Sequence, residues 1–352
     1  MRDFVRLGLT RRRLLSGAAA LGAAAVLPGT SIASLPAMAP GTVDVHHHFF
    51  PPFFIEMWRD NPRVGALIPG IRDWTPAASL AQMDRNHVAQ AVLSTSSRIE
   101  AFGLPPDRLR DIVRRFNDYA TQVKHDHRGR FGLFAFLPLP DVDASLAEIA
   151  RALDDLHAEG IGITTSYAGK YPGDPEFAPV MDELNRRKTT VFVHPLAPAC
   201  CNALMSYVPP TLIEYPEDTA RAMLSLLLSG TLRRCRDITW IFSHAGGTWP
   251  MLAGRTATLA RDQVKNLKDV APDGIDAEFR RFYYETANSA YKPTMAALLA
   301  YAPLRQVMFG TDYPYVTVDE NVADFHALHL GAAQVQAISR DNARRLFPRL
   351  GG

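Results

Sequence analysis

The sequence predicts a single (β/α)8 barrel of the α/β class, and three observations lead there. Short, almost continuously apolar runs recur eight times between residues 43 and 310. Helical stretches separate them. No Gly-x-Gly-x-x-Gly turn follows any run, which removes the main support for an open doubly wound sheet.

The predicted strands are Val43–His48, Gln90–Thr95, Phe131–Leu137, Gly160–Ser166, Thr189–His194, Ile238–Ser243, Phe282–Thr286 and Val307–Gly310. Unbroken apolar runs of this length fit parallel strands covered on both faces. Helices are expected from about Pro106 to His125 and from Asp141 to His157. Gly160 marks the end of the second, since a glycine is favoured just past a helix. Further helices are expected from about Pro216 to Leu228 and from Ala332 to Leu346, the last ending before Pro348. Two stretches exceed ordinary connections and read as insertions. One follows the first strand, Phe49 to His87, and opens Phe49-Phe50-Pro51-Pro52-Phe53-Phe54. The other follows the fifth strand, Leu196 to Tyr215.

Composition excludes several classes. With 47% hydrophobic and 21% charged residues, the chain is neither disordered nor a disulfide scaffold. Its net charge of +2 is no footprint for nucleic acid. The charge is also uneven. The first 39 residues hold five arginines against one aspartate, and the remaining 33 basic and 35 acidic side chains give the body a net −2.

Residues 1–39 read as a leader and 40–352 as the barrel domain. Thr10-Arg11-Arg12-Arg13-Leu14-Leu15-Ser16 precedes an Ala/Gly-rich run from Gly17 to Leu27, and the pattern resembles a twin-arginine export signal. The run is about half the ~20 residues that a membrane span needs, so stable insertion is not expected. Cleavage could follow Ala33 or Ala39, and the mature protein is expected to be periplasmic or secreted. Of the three cysteines, adjacent Cys200 and Cys201 are poor partners for each other, and with Cys235 they read as packing residues.

The chemistry lies in the histidines. His46-His47-His48 end the first strand, where alternation sends His46 and His48 one way and His47 the other. His194 ends the fifth strand, His244 follows the sixth and Asp312 follows the eighth. In a barrel these strand ends share one mouth, where barrel enzymes keep their chemistry. One histidine on an apolar run is more often structural. Five metal-competent side chains from four strand ends are hard to explain that way. The other seven histidines, His47 included, read as structural.

The motifs Val43-Asp44-Val45-His46-His47-His48, Val193-His194-Pro195, Ser243-His244-Ala245-Gly246-Gly247 and Gly310-Thr311-Asp312-Tyr313-Pro314 resemble those of the amidohydrolase superfamily, and more narrowly its amidohydrolase-2 branch. That branch includes aminocarboxymuconate-semialdehyde decarboxylase and hydroxybenzoate decarboxylases. Pro138-Leu139-Pro140-Asp141-Val142, Thr165-Ser166-Tyr167 and Asn185-Arg186-Arg187-Lys188 are similar to stretches of 6-methylsalicylate decarboxylases. The resemblance implies that His46, His48, His194 and Asp312 ligate one divalent metal, with His244 a non-ligand catalytic base. Other branches bridge a second metal with a lysine at the end of the fourth strand. Here that end reads Ile163-Thr164-Thr165-Ser166, which implies a mononuclear site.

Three imidazoles and a carboxylate suit Zn²⁺ first, with Mn²⁺ and Fe²⁺ compatible. A divalent ion could clamp a carboxylate and an adjacent hydroxyl, giving non-oxidative decarboxylation with Asp312 and His244 as proton carriers. It could instead activate water, giving an amide or lactone hydrolase. A non-catalytic metal-binding protein is the third reading, and His244 counts against it. Candidate contacts to a small aromatic acid are Arg98, Phe50 (with Phe49, Phe53 and Phe54), Tyr167 and Tyr291. The bland readings are a surface arginine, packing tyrosines and lid packing for the phenylalanines. The family resemblance implies a homodimer; nothing in the sequence itself points to one.

Overall fold

Eight parallel strands follow one another in sequence order around a nearly closed barrel: β1 (Thr42–His48), β2 (Val88–Ser94), β3 (Phe131–Phe136), β4 (Gly160–Thr164), β5 (Thr190–His194), β6 (Thr239–Phe242), β7 (Tyr283–Glu285) and β8 (Val307–Met308). This computed structural model describes residues 38–61, 67–94, 99, 102–198, 201 and 207–351. The chain divides into Met1–Leu35 and Pro36–Gly352. The segment expected to be an export signal lies almost wholly outside the described residues, as do Arg98 and Cys200. No described helix is long and apolar enough to cross a membrane.

Helices pack outside the strands. Pro106–Asp126, Val142–Ala150 and Pro210–Leu228 are the main ones foreseen. Asp141 caps the second by accepting from the Ala144 amide at 3.0 Å. The third begins six residues before the expected Pro216, because Pro210 already supplies the fixed φ that suits a first turn. Among its described residues, the insertion after β1 folds as three short helices, Pro52–Arg59, Pro69–Arg72 and Pro76–Arg85.

Several strands are shorter than predicted, for local reasons. β4 stops at Thr164 because the Thr164 amide donates to the Tyr167 hydroxyl at 2.7 Å and residues 167–170 turn back on themselves. β8 stops at Met308 because the chain leaves β7 and bends towards β1. There the Val45 amide donates to the Phe309 carbonyl at 3.0 Å and the His48 amide to the Tyr313 carbonyl at 2.7 Å. The Thr311 and Asp312 amides donate to the His46 carbonyl at 3.3 and 2.9 Å. These bonds close the seam between the first and last strands.

One irregularity sets the direction of the site histidines. Asp44 pairs with Ala91 and His47 with Leu93, so β1 advances three residues where β2 advances two. This is a β-bulge. Val43 and Val45 join Val92, Phe134, Phe192, Ile241 and Met308 in the cluster that fills the barrel. Simple alternation from those valines would send His47 inward. The extra residue resets the phase, so His46 and His48 join the inward side while His47 goes outward. His47 there bonds Asp44 through Nδ1 at 2.9 Å and Ser79 through Nε2 at 3.0 Å, which bears out its structural reading.

Phe134 stacks on Phe192 at 5.2 Å and meets Phe347 edge-on at 5.6 Å, and Phe192 in turn touches His46 at 4.9 Å. Phe134→Ala should therefore destabilise the fold by about 3–5 kcal/mol in urea unfolding.

Candidate metal centre and active site

Four strand ends deliver their side chains to one point. His46 and His48 come from β1 and His194 from β5. His244 follows β6 and Asp312 follows β8. Ligand atoms of His46, His194, His244 and Asp312 all lie within 4.8 Å of one another. His48 completes the group, its Nε2 lying 3.0 Å from His46 Nε2 and 2.8 Å from Asp312 Oδ1. Five of the residues that the sequence singled out are thus brought together.

The turns that carry them are tightly constrained. Asp312 has φ +60° and His244 φ +52°, both in the left-handed region that side chains seldom adopt. Each is followed by or set against glycine where the backbone passes close. A Cβ on Gly310 would strike the Glu285 carboxylate and the His46 Cβ, and one on Gly247 would strike the Pro216 carbonyl. Strand β8 can therefore press its end against His46, and the turn after β6 can lie on helix Pro210–Leu228.

The outer nitrogens of three imidazoles are all spoken for. His46 Nδ1 meets Glu285 Oε1 at 2.9 Å, His48 Nδ1 meets the Ser94 carbonyl at 3.1 Å, and His194 Nδ1 meets the Pro195 carbonyl at 2.9 Å. Carbonyl and carboxylate oxygens accept, so each Nδ1 donates and each Nε2 is turned towards the cluster. This is the arrangement that metal-ligating histidines use. The His244 ring has no such acceptor among the described residues, and its buried Nε2 has no hydrogen-bond partner. Ligand atoms on a tetrahedral ion at 2.0–2.1 Å stand about 3.3 Å apart. The 2.8–3.1 Å separations among His46, His48 and Asp312 are slightly tighter than that. The donor set therefore fits one divalent ion.

Electrostatics agree. Burial opposes a charge on His46, but Glu285 and Asp312 outweigh it and push its pKa up to about 10. Burial also opposes the Asp312 charge, yet His46, His194 and His244 hold its carboxyl well below the usual range. Burial lowers His48, and it lowers His194 to about 3, where neighbouring imidazoles add to the effect. Both therefore stay neutral, with a lone pair to offer.

A cavity of about 550 Å³ opens over the cluster, a size suited to a small molecule. Tyr215 and Tyr315 both line it. Tyr215 lies edge-on to His194 at 6.3 Å and Tyr315 edge-on to His48 at 5.4 Å. Thr211, Asn288, Ser289 and Thr294 supply neutral polar groups, and Pro216 and Val316 apolar ones.

The expected substrate contacts fare differently. Phe50 is buried and packs edge-on against Tyr315 at 6.1 Å, so it backs the cavity wall without forming it. Tyr167 is buried beneath the β4 turn with its hydroxyl on the Thr164 amide, and it does not line the cavity. Tyr291 is half exposed at the start of helix Lys292–Tyr301 and does not line it either. Both placements correct the sequence expectation, since the strand-end position was right in each case and the direction of the ring was not.

Sequence reasoning gave no role to Glu285, Asn288 or Asp44. Glu285 is fully buried on β7 and bonds His46, the His244 amide at 2.6 Å and the Ala287 amide at 2.5 Å. A lone carboxylate inside the apolar run Phe282–Thr286 was the available signal. Asp44 accepts from the His46 and Thr311 amides at 3.0 and 3.1 Å. Asn288 Nδ2 donates to Asp312 Oδ2 at 2.5 Å. Glu285→Gln should weaken Zn²⁺ binding about 10–100-fold in competition with a chromogenic chelator, as loss of an outer-nitrogen partner does elsewhere.

Comparison with known proteins adds four findings. The amidohydrolase family model Amidohydro_2 matches residues 43–349. A decarboxylase of Aspergillus niger is 36% identical over 326 residues, 87% of each chain. A 6-methylsalicylic acid decarboxylase of Penicillium expansum is 32% identical over 320 residues, 88% of this chain and 97% of that one. In structure, a dihydroxybenzoic acid decarboxylase from Polaromonas sp. JS666, with bound manganese and 2-nitroresorcinol, has a TM-score of 0.75 at 20% identity over 88% of this chain and 97% of its own.

Proposed function

The chain belongs to the amidohydrolase family, and from that premise we propose that it is a metal-dependent, non-oxidative decarboxylase of a small hydroxyaromatic acid of the 6-methylsalicylate type. The observation that carries this reading is likeness to named decarboxylases over almost the full length of both chains. The five-group cluster at the floor of an aromatic-walled cavity supports it.

His46, His48, His194 and Asp312 would hold the ion. Zn²⁺ suits three imidazoles and a carboxylate, and Mn²⁺ suits them as well. When bound, the ion supplies positive charge that fixes the substrate's carboxylate and neighbouring hydroxyl. The rest is done by side chains. Tyr215 and Tyr315 supply aromatic surface for the ring, and Phe50 packs against Tyr315. A proton must reach the ring carbon that bears the carboxylate before the bond to that carboxylate breaks. The electron pair of that bond then returns to the ring as CO₂ departs, and aromaticity is restored. His244 Nε2, buried without a partner and 3.7 Å from Asp312 Oδ2, is placed to carry that proton. Asp312 Oδ2 faces His244, and its negative charge can stabilise the imidazole while it carries the proton. Residues 1–39 are proposed as the export signal of this enzyme, which would act outside the cytoplasm.

Purified protein should hold close to one divalent ion per chain. His194→Ala should lose it, whereas His244→Ala should keep it and lose CO₂ release from 6-methylsalicylate by about 10²-fold or more. An active metal-free protein, or hydrolysis of an amide or lactone without CO₂ release, would overturn the reading.

A further inference from the structure

We propose that Asn288 is a positioning residue that fixes the plane of the Asp312 carboxylate, so that one oxygen faces the metal site and the other faces the proton carrier; this rests on the proposed function above. Asn288 lies three residues past the end of β7 and lines the cavity. Its backbone adopts φ +49°, and Asp312 opposite adopts φ +60°. Asparagine is among the few side chains that tolerate this region. Both residues therefore occupy a costly conformation, and the result is that their side chains meet.

The two oxygens of Asp312 have different neighbours. Oδ1 lies 2.8 Å from His48 Nε2, 3.1 Å from His46 Nε2 and 3.9 Å from His194 Nε2. Oδ2 receives the Asn288 Nδ2–H at 2.5 Å and stands 3.7 Å from His244 Nε2. A half-turn about the Cβ–Cγ bond returns an equivalent carboxylate, but a quarter-turn would take both oxygens off these partners. The Asn288 side-chain amide opposes that quarter-turn, because it can hold one oxygen only while the other points at the imidazoles. Asn321 ties the two turns together as well. It donates to the Thr311 carbonyl at 2.6 Å and accepts from the Asn288 amide at 3.4 Å. The turn after β7 is thus tied to the turn after β8 at both Thr311 and Asp312.

Two substitutions separate the amide from the backbone. Asn288→Gly removes the donor and leaves a residue at ease with positive φ, whereas Asn288→Ala removes the donor and strains the turn. Zn²⁺ affinity by chelator competition, metal content, melting temperature, and kcat and KM for CO₂ release from 6-methylsalicylate are measured on both. The expected result is a loss of Zn²⁺ affinity of about 10–100-fold in both variants. In metal-saturated protein kcat should fall about tenfold or more with KM changed less than threefold, and Asn288→Gly should melt as the wild type does. Wild-type affinity and turnover in Asn288→Gly would overturn the proposal, and impairment of Asn288→Ala alone would assign the position to the backbone instead. The affinity measurement needs no substrate. A wild type that binds Zn²⁺ without releasing CO₂ would therefore count against the proposed reaction and leave the role of Asn288 to be decided by affinity.

Discussion

Everything at the site depends on one extra residue in β1. The barrel interior is filled by valine, isoleucine, methionine and phenylalanine side chains whose parity is fixed lower down each strand. Without the bulge between Asp44 and His47, that parity would aim one histidine inward where two are needed. A bulge leaves a backbone amide without its ladder partner. Here the Asp44 carboxylate takes the His46 amide, and with the same side chain it holds the Thr311 amide and hydroxyl and the His47 ring. A buried charge is costly unless it is fully bonded. Asp44 meets that condition with four donors, and in doing so fastens the bulge to the segment that carries Asp312.

Glu285 plays the corresponding part on the other side. It bonds the His46 ring and the His244 amide, so one carboxylate orients the imidazole that shares in the cluster and the turn that presents the unpartnered one. Asp44, Glu285 and Asn288 together leave the five cluster residues little freedom. Such preorganisation matters because electrostatic help is worth most when nothing has to move as charge develops.

The sequence was most informative where local pattern decides the outcome. Apolar runs located all eight strands, and the residues that end them located His46, His48, His194, His244 and Asp312. The outward turn of His47 was legible because alternation is local, although the bulge that makes alternation come out right was not. Tyr167 and Tyr291 show the limit. Both follow strands at the mouth, yet one ring is drawn under the β4 turn by a backbone amide and the other begins a helix facing solvent. Tyr215 and Tyr315 form the walls instead, since their helix and loop are steered there by tertiary packing. Asn288 was silent for a similar reason: its partner lies 24 residues away on another turn.

The seam between β1 and β8 joins residues from opposite ends of the barrel domain, with His48 and Asp312 separated by 264 positions. An ion held by both would be a crosslink as well as a reagent. Crosslinks that span long loops restrict the unfolded chain most in principle. The metal would then act as the clasp of a necklace. The barrel would open most readily where the clasp sits, so the enzyme's endurance and its chemistry would draw on the same few bonds.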